Sequence, residues 1–291
     1  MIFSSSMRII SLLVLAGLLQ ACSAVKLAYN QAPELAYWYL DGYVDFSSAQ
    51  SVQVKDELSK LQAWHRQTQL PIYIDTLQNV QQKILLDMSA QDTCTLLSDV
   101  RRKLGVLSDQ LQPAVVTLLD TLTANQLELV ARKFDKGNAD YRNDYLQTAK
   151  STLQSKRYTQ AVSRAEMLYG RLDDKQLTLI GQQVEKSGFN AALAYAERQR
   201  KQQDTLQTLG AMLKNQATAD QKRLAVRGLF ERTFISPNPN YADYADALTK
   251  EGCKNFADLH NTTTANQRRK AVEILTGYVQ DIKTLSAQGK G

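Results

Sequence analysis

The chain has 291 residues, 44% of them hydrophobic and 22% charged, with 35 basic and 29 acidic side chains and a formal net charge of +6. This is an ordinary water-soluble composition, which excludes a polytopic membrane protein, a collagen, a disulfide-dense mini-protein and a disordered tail. The length allows one large domain or two smaller ones, with ample residues for a buried core.

Met7 and Arg8 give a short positive start, followed by Ile9 to Leu19, an 11-residue run that is apolar apart from Ser11 and Gly17. A bilayer-spanning helix takes about 20 apolar residues, so this run reads as the core of a secretory signal over residues 1–21, with Met7 a better start than Met1. The ending Leu19-Gln20-Ala21-Cys22 resembles the bacterial lipoprotein box. That resemblance implies cleavage before Cys22, diacylglycerol on its thiol and an acylated amine. Anchoring is then firm, since each buried CH₂ contributes about 0.8 kcal/mol. Residues 22–32 become a lipidated tether, and Ser23 after the cysteine implies the outer membrane, periplasmic face. Removing the signal takes away one charge, Arg8. The basic clusters, such as Arg101-Arg102-Lys103, Arg198 with Arg200-Lys201, and Arg268-Arg269-Lys270, are dispersed over helical patterns and read as solvated faces, with a joint patch for anionic lipid or cell-wall polymer as the alternative. Nucleic acid is not an expected partner in this compartment.

With Cys22 acylated, Cys94 and Cys253 remain, an even pair in an oxidising space. Two readings stand: isolated buried thiols, or a disulfide closing a loop of about 160 residues, which the chain-entropy relation values at about 5 kcal/mol.

The body reads as helices. All five prolines lie at segment starts or in the loop Ser236-Pro237-Asn238-Pro239-Asn240, and the 123 residues between Pro113 and Pro237 contain none. Tyr73, Leu77, Val80, Ile84 and Met88 form one apolar stripe at helical spacing, and Leu97, Val100, Leu104, Leu107 and Leu111 form another. The expected helices run near 33–45, 48–68, 72–88, 93–111, 114–121, 124–147, 151–171, 174–187, 189–216, 219–233, 241–259 and 265–286. The fold class is all-α, a multi-helix bundle or helical-hairpin array in a single domain over 33–291. A local rival is a β-hairpin at Tyr37 to Val44, turning at Asp41-Gly42.

Ser, Thr or Asp followed three residues later by Gln recurs at Ser47–Gln50, Thr123–Gln126, Asp173–Gln176, Thr218–Gln221 and Thr264–Gln267. This is the capping-box pattern, in which the first side chain accepts from a backbone N–H one turn in and Gln reaches back. The last three starts lie 45 and 46 residues apart, which suggests a helical-hairpin repeat.

Aromatics concentrate behind the anchor, with Tyr29, Tyr37, Trp38, Tyr39, Tyr43 and Phe46 close together. They make either a core seam or a groove or membrane-facing surface beside the lipid. Asp41 and Asp45 lie one turn apart, and the stripe Val54, Leu58, Leu61 continues to His65, so the imidazole could meet a carboxylate as a base with its orienter. A buried, hydrogen-bonded histidine and solvated carboxylates are the commoner outcome. No HExxH, G-x-S-x-G, P-loop or CxxC occurs, and no catalytic residue, metal site or cofactor is expected.

Leu27-Ala28-Tyr29-Asn30, Trp38-Tyr39-Leu40-Asp41-Gly42-Tyr43-Val44-Asp45, Trp64-His65-Arg66 and Leu70-Pro71-Ile72-Tyr73, set behind the lipoprotein box, resemble an uncharacterised family of proteobacterial lipoproteins known as a domain of unknown function. The resemblance implies an α-helical periplasmic body and no particular substrate. The capping boxes resemble the Leu-Thr-x-x-Gln repeats of the Spy and CpxP type of periplasmic chaperone, which form small helical cradles. The expected role is that of an outer-membrane-anchored lipoprotein acting by binding, with an envelope protein, an unfolded client or the cell wall as partner. The expected contact surface is Tyr37, Trp38, Asp41, Asp45, Trp64, His65 and Arg66. The alternatives are an envelope hydrolase using Asp41 or Asp45 with His65, or a chaperone-like helical client binder.

Overall fold

The computed structural model describes residues 25–288, so the signal segment and Cys22 lie outside the described residues. Eleven helices follow a helical lead-in at 25–30: α1 (Ala32–Val44), α2 (Ser48–Trp64), α3 (Leu70–Lys83), α4 (Ala90–Leu118), α5 (Ala124–Tyr141), α6 (Lys150–Tyr169), α7 (Asp174–Lys186), α8 (Ala191–Lys214), α9 (Ala219–Phe234), α10 (Pro239–Asn261) and α11 (Ala265–Ala287). Among the described residues there is no strand, and Tyr37 to Val44 is helical.

All five Gln-based capping boxes form, at the starts of α2, α5, α7, α9 and α11. A sixth, Ser89 with Asp92, starts α4. It uses a carboxylate where the recurring pattern has an amide. Asn190 and Asn238 cap α8 and α10 by accepting from two backbone N–H groups each. Every one of these caps satisfies donors that a helix start otherwise leaves open, at about 1 kcal/mol apiece.

Prolines do not break the chain where the sequence suggests. The expected boundary at Pro71 is absent: α2 runs into α3 through one π-helical turn, His65–Gln69. There Leu70 N–H donates to the His65 carbonyl, one residue further back than in an α-helix, and this wider turn carries the chain past a residue with no N–H. The expected break at Pro113 is also absent, and 90–118 is a single helix. The missing N–H of Pro113 strands one carbonyl, on Asp109, which is exposed and open to water. Packing of α4 against α2, α9 and α10 holds the helix together across that point.

In the other direction, α3 ends five residues earlier than its apolar stripe predicts, because the backbone beyond it is captured by distant side chains. Asn261 clamps Met88, donating to its carbonyl and accepting from its N–H, both at 2.9 Å, while His260 Nε2 bonds the Leu86 carbonyl at 2.7 Å and Arg268 the Leu85 carbonyl at 3.1 Å.

Two groups of helices result. In one, successive contacts close a circuit through α1, α2, α4, α9, α8, α5 and back to α1. In the other, α3 lies along α11, and α6 and α7 pack on α11 and α10. The main buried core belongs to the second group: Ile84, Ala165, Tyr169, Leu172, Ile180, Leu259, Ala271 and Leu275. A disulfide between Cys94 on α4 and Cys253 on α10, with Cα atoms 5.3 Å apart, joins the groups. The stripe ending in Ile84 and Met88 is buried as patterned. On α4, however, Leu97, Val100 and Leu104 stay exposed.

Candidate functional site

The sequence-predicted contact residues do not form one surface. Asp41 stops α1: its Oδ1 accepts from Phe46 N–H at 2.8 Å, and its carbonyl accepts from Asp45 N–H at 2.8 Å. Asp45 takes the left-handed conformation that ends the helix, with φ 54°. Tyr37 donates to Ser51 Oγ at 2.9 Å, stacks on Phe46 and lies under Lys55 Nζ. His65, at the π turn, pairs through Nδ1 with the Tyr29 hydroxyl at 2.9 Å and meets Tyr73 edge-on and Trp64 at a tilt. Burial pushes the Tyr29 hydroxyl up, against the opposing effect of Arg66, and pushes the His65 imidazole down. Arg66 donates to Asn30 Oδ1 at 2.7 Å and lies over the Tyr29 ring. Among the described residues no hydrogen bond or ion pair joins His65 to Asp41 or Asp45, so the base-and-orienter pairing is not formed. Of the set, Trp38 and Asp45 are the exposed members, Trp38 at 75%.

The capping-box glutamines do more than cap. Gln50 and Gln126 exchange amide hydrogen bonds at 3.2 and 2.7 Å, and each spends its second N–H on a carbonyl two residues before the partner's cap, Thr121 at 2.9 Å and Asp45 at 3.1 Å. Gln176 and Gln267 repeat the arrangement, exchanging bonds at 2.9 Å and donating to the carbonyls of Thr262 and Arg171. Pairs of helix starts are thereby locked head to head, α2 with α5 and α7 with α11. The pairing joins positions 76 and 91 residues apart rather than the consecutive starts of a 45-residue repeat. Gln221 of the remaining box caps its own helix and makes no such pair.

A cleft of about 1230 Å³ opens between α4, α9 and α10, with Glu197 and Lys201 of α8 also lining it. Leu104, Phe230, Phe234, Ile235 and Tyr241 give it apolar walls, and Arg101, Lys201, Arg227, Glu231 and Asp246 give it charges of both signs. Leu104 continues the open stripe of Leu97 and Val100, and Phe234 and Ile235 are exposed at its edge. One end is braced by an ionic network. Buried Glu197 accepts two bonds from Arg200 at 2.9 Å and one from Ser236 at 3.0 Å, and Asp204 accepts from Arg232 at 2.8 and 2.9 Å. The Arg232 bonds hold the Asp204 carboxyl below the usual carboxylate range. Arg200, read from the sequence as part of a solvated basic face, is instead committed to this network, because Glu197 and Asp204 flank it one turn away on α8 and the Arg232 carbonyl of α9 accepts from it at 2.7 Å. Sequence reading missed the cleft, whose walls come from segments over a hundred residues apart. The only available sign was the Ser236-Pro237 loop at its rim.

Residues 42–238 match the sequence profile of DUF6279, a family of unknown function. The chain belongs to this family. The family's span runs from the last turn of α1 to the cap of α10, and so contains the Gln50–Gln126 clasp, the Trp64-His65-Arg66 turn and three of the four helices that line the cleft. No curated protein and no solved structure matches the chain.

Proposed function

We propose that this member of the family is a lipoprotein, acylated at Cys22 and held at the periplasmic face of the outer membrane, that works by binding an apolar segment of another envelope polypeptide. The observation that carries the reading is the cleft between α4, α9 and α10: an apolar floor, continuous with an open Leu97–Val100–Leu104 stripe, under a rim of mixed charge. Such a lining suits a chain segment with apolar side chains and solvated flanks better than a small ionic substrate. The acid–base groups that a hydrolase would use are engaged in holding the N-terminal helices, which favours binding over catalysis.

Two measurements test the proposal. Metabolic labelling with palmitate should mark the chain, and Cys22→Ala should abolish both the label and fractionation with the outer membrane. For the cleft, fluorescent peptides bearing apolar clusters should bind the purified protein, and Phe230→Asp should remove that binding while the helical circular dichroism is retained. Equal affinity of the variant, or no binding by the parent, would reject the cleft as the site.

A further inference from the structure

The first helical segment carries a surface that the cleft does not explain. Between Val25 and Val44 there are three ionised side chains: Lys26 pairs with buried Asp281 and half-buried Asp41 accepts from Phe46 N–H, while Glu34 reaches sideways to Lys55 from the exposed edge. The exposed face beside Glu34 has no other charge. Leu27, Gln31, Leu35, Trp38 and Gly42 follow one another at spacings of four, four, three and four, which is one stripe of a helix, with Ala28, Ala32 and Tyr39 beside it. All eight are exposed, with Leu27 at 63%, Leu35 at 56% and Tyr39 at 59%. Apart from the Leu97–Val100–Leu104 stripe and the Phe234–Ile235 edge of the cleft, exposed residues such as Val52, Met167 and Leu224 are scattered on different helices.

We infer that this face is a bilayer-contact surface: the segment from Leu27 to Gly42 lies along the phospholipid headgroup zone, with Leu27, Leu35 and Trp38 dipped to the acyl boundary. The inference rests on the acylation of Cys22 proposed above, and the position of that residue selects the occupant. Two residues, Ser23 and Ala24, separate Cys22 from Val25, a reach of at most about 11 Å, so acyl chains buried in the leaflet hold the start of this helix at its surface. The uncharged stripe is about 22 Å long. It is covered along its whole length when the helix lies flat and only at its tip when the helix stands upright. Its side chains are those that favour the interface, a tryptophan and a tyrosine flanked by leucines, with Glu34 at its edge, level with the headgroups, and Lys26 and Asp41 turned away. The body of the protein is then held in one orientation, rather than swinging on a tether.

The chain has two tryptophans, Trp38 and Trp64, so Trp64→Phe leaves Trp38 as a single reporter. The protein purified in its membrane form is reconstituted into vesicles of phosphatidylethanolamine with phosphatidylglycerol, and intact mass reports acylation separately. The expected result is a blue-shifted Trp38 emission, protection from iodide, and quenching by lipids brominated near the glycerol end of the chains. Gly42→Glu, where an added side chain meets open space, and Leu35→Glu should each reduce that protection without changing the circular dichroism. An acylated chain whose Trp38 keeps its aqueous emission and full iodide access overturns the inference, as does protection that both charged variants leave intact or that appears without vesicles as the protein self-associates. A chain without acyl groups whose Trp38 is nevertheless shielded by added vesicles removes the anchor and supports the face. One without acyl groups and unshielded removes both.

Discussion

The two helix groups are built on the same devices and use them to opposite ends. Each has a glutamine clasp locking two helix starts, Gln50 with Gln126 and Gln176 with Gln267, and each has a tyrosine hydroxyl 2.9 Å from the Nδ1 of one of the chain's two histidines, Tyr29 with His65 and Tyr169 with His260. The clasps are shut in both groups, with Gln50, Gln126 and Gln176 all buried, but the tyrosine–histidine pairs differ: in the second group His260 is 0% exposed, stacked on Phe256 and set against the main core. In the first, Tyr29, His65 and Arg66 are half-buried and the helix beside them presents an uncharged face to solvent. The difference teaches that identical local motifs set helix geometry in both places, and that what is packed over them decides whether the region serves stability or contact.

Breaking the joint between the groups should have the largest effect. Replacing Cys94 and Cys253 together by Ala should lower stability by about 5 kcal/mol, read as a shift of a single guanidinium transition. Two separate transitions would show that the groups are independent units.

Next come the clasps. Gln126→Ala strands the amide of Gln50, itself 3% exposed, away from water, and should cost about 3 kcal/mol. Gln176→Ala leaves the half-buried Gln267 amide and the carbonyl of exposed Thr262, which water reaches more readily, and should cost about 2 kcal/mol. Adding Gln267→Ala to Gln176→Ala should cost much less than Gln267→Ala alone, since the two act as a unit. Strict additivity in denaturant titrations would dismiss the clasp.

Smaller again is a pH effect. Burial holds the His260 imidazole below the usual histidine range, opposed by its bond to the Leu86 carbonyl and by Asp87 and reinforced by Arg268; burial lowers His65 as well. A base with a depressed folded value costs the native state nothing above its unfolded value near 6.5. Below that pH the unfolded chain takes up a proton that the folded chain refuses. Stability should therefore fall as pH drops from about 6.5 toward the folded values. His260→Phe should be less stable at neutral pH, having lost the bonds to Tyr169 and Leu86, and its melting temperature should vary less between neutral and mildly acidic buffer. An unchanged slope would assign the effect to other groups. Smallest of all, Trp38→Ala should leave stability within about 0.5 kcal/mol, and a large drop in melting temperature would mean that Trp38 is packed rather than open.

Helix starts were legible residue by residue because a capping box is a local device: Thr123 and Gln126 need only each other and the backbone between them. Helix ends and breaks were less so. The early end of α3 depends on Asn261 and His260, some 170 positions away, and Pro113 is tolerated because α4 is held on several sides at once. The aromatic cluster from Tyr29 to Phe46 was visible in the sequence, but its division was not. Tyr37 and Trp38 are neighbours in the chain, and only the packing of α1 on α2 and α5 makes one a hydrogen-bonded support and the other a free surface.

The sequence alone determined the all-helical class, five helix starts and a cysteine pair able to bond, because these rest on periodicity, short-range hydrogen bonds and parity. Tertiary structure decided which glutamines clasp, which apolar stripe is buried and where a cleft opens. Those outcomes turn on which distant helices meet, and the free energy of each contact belongs to both partners and is written in neither.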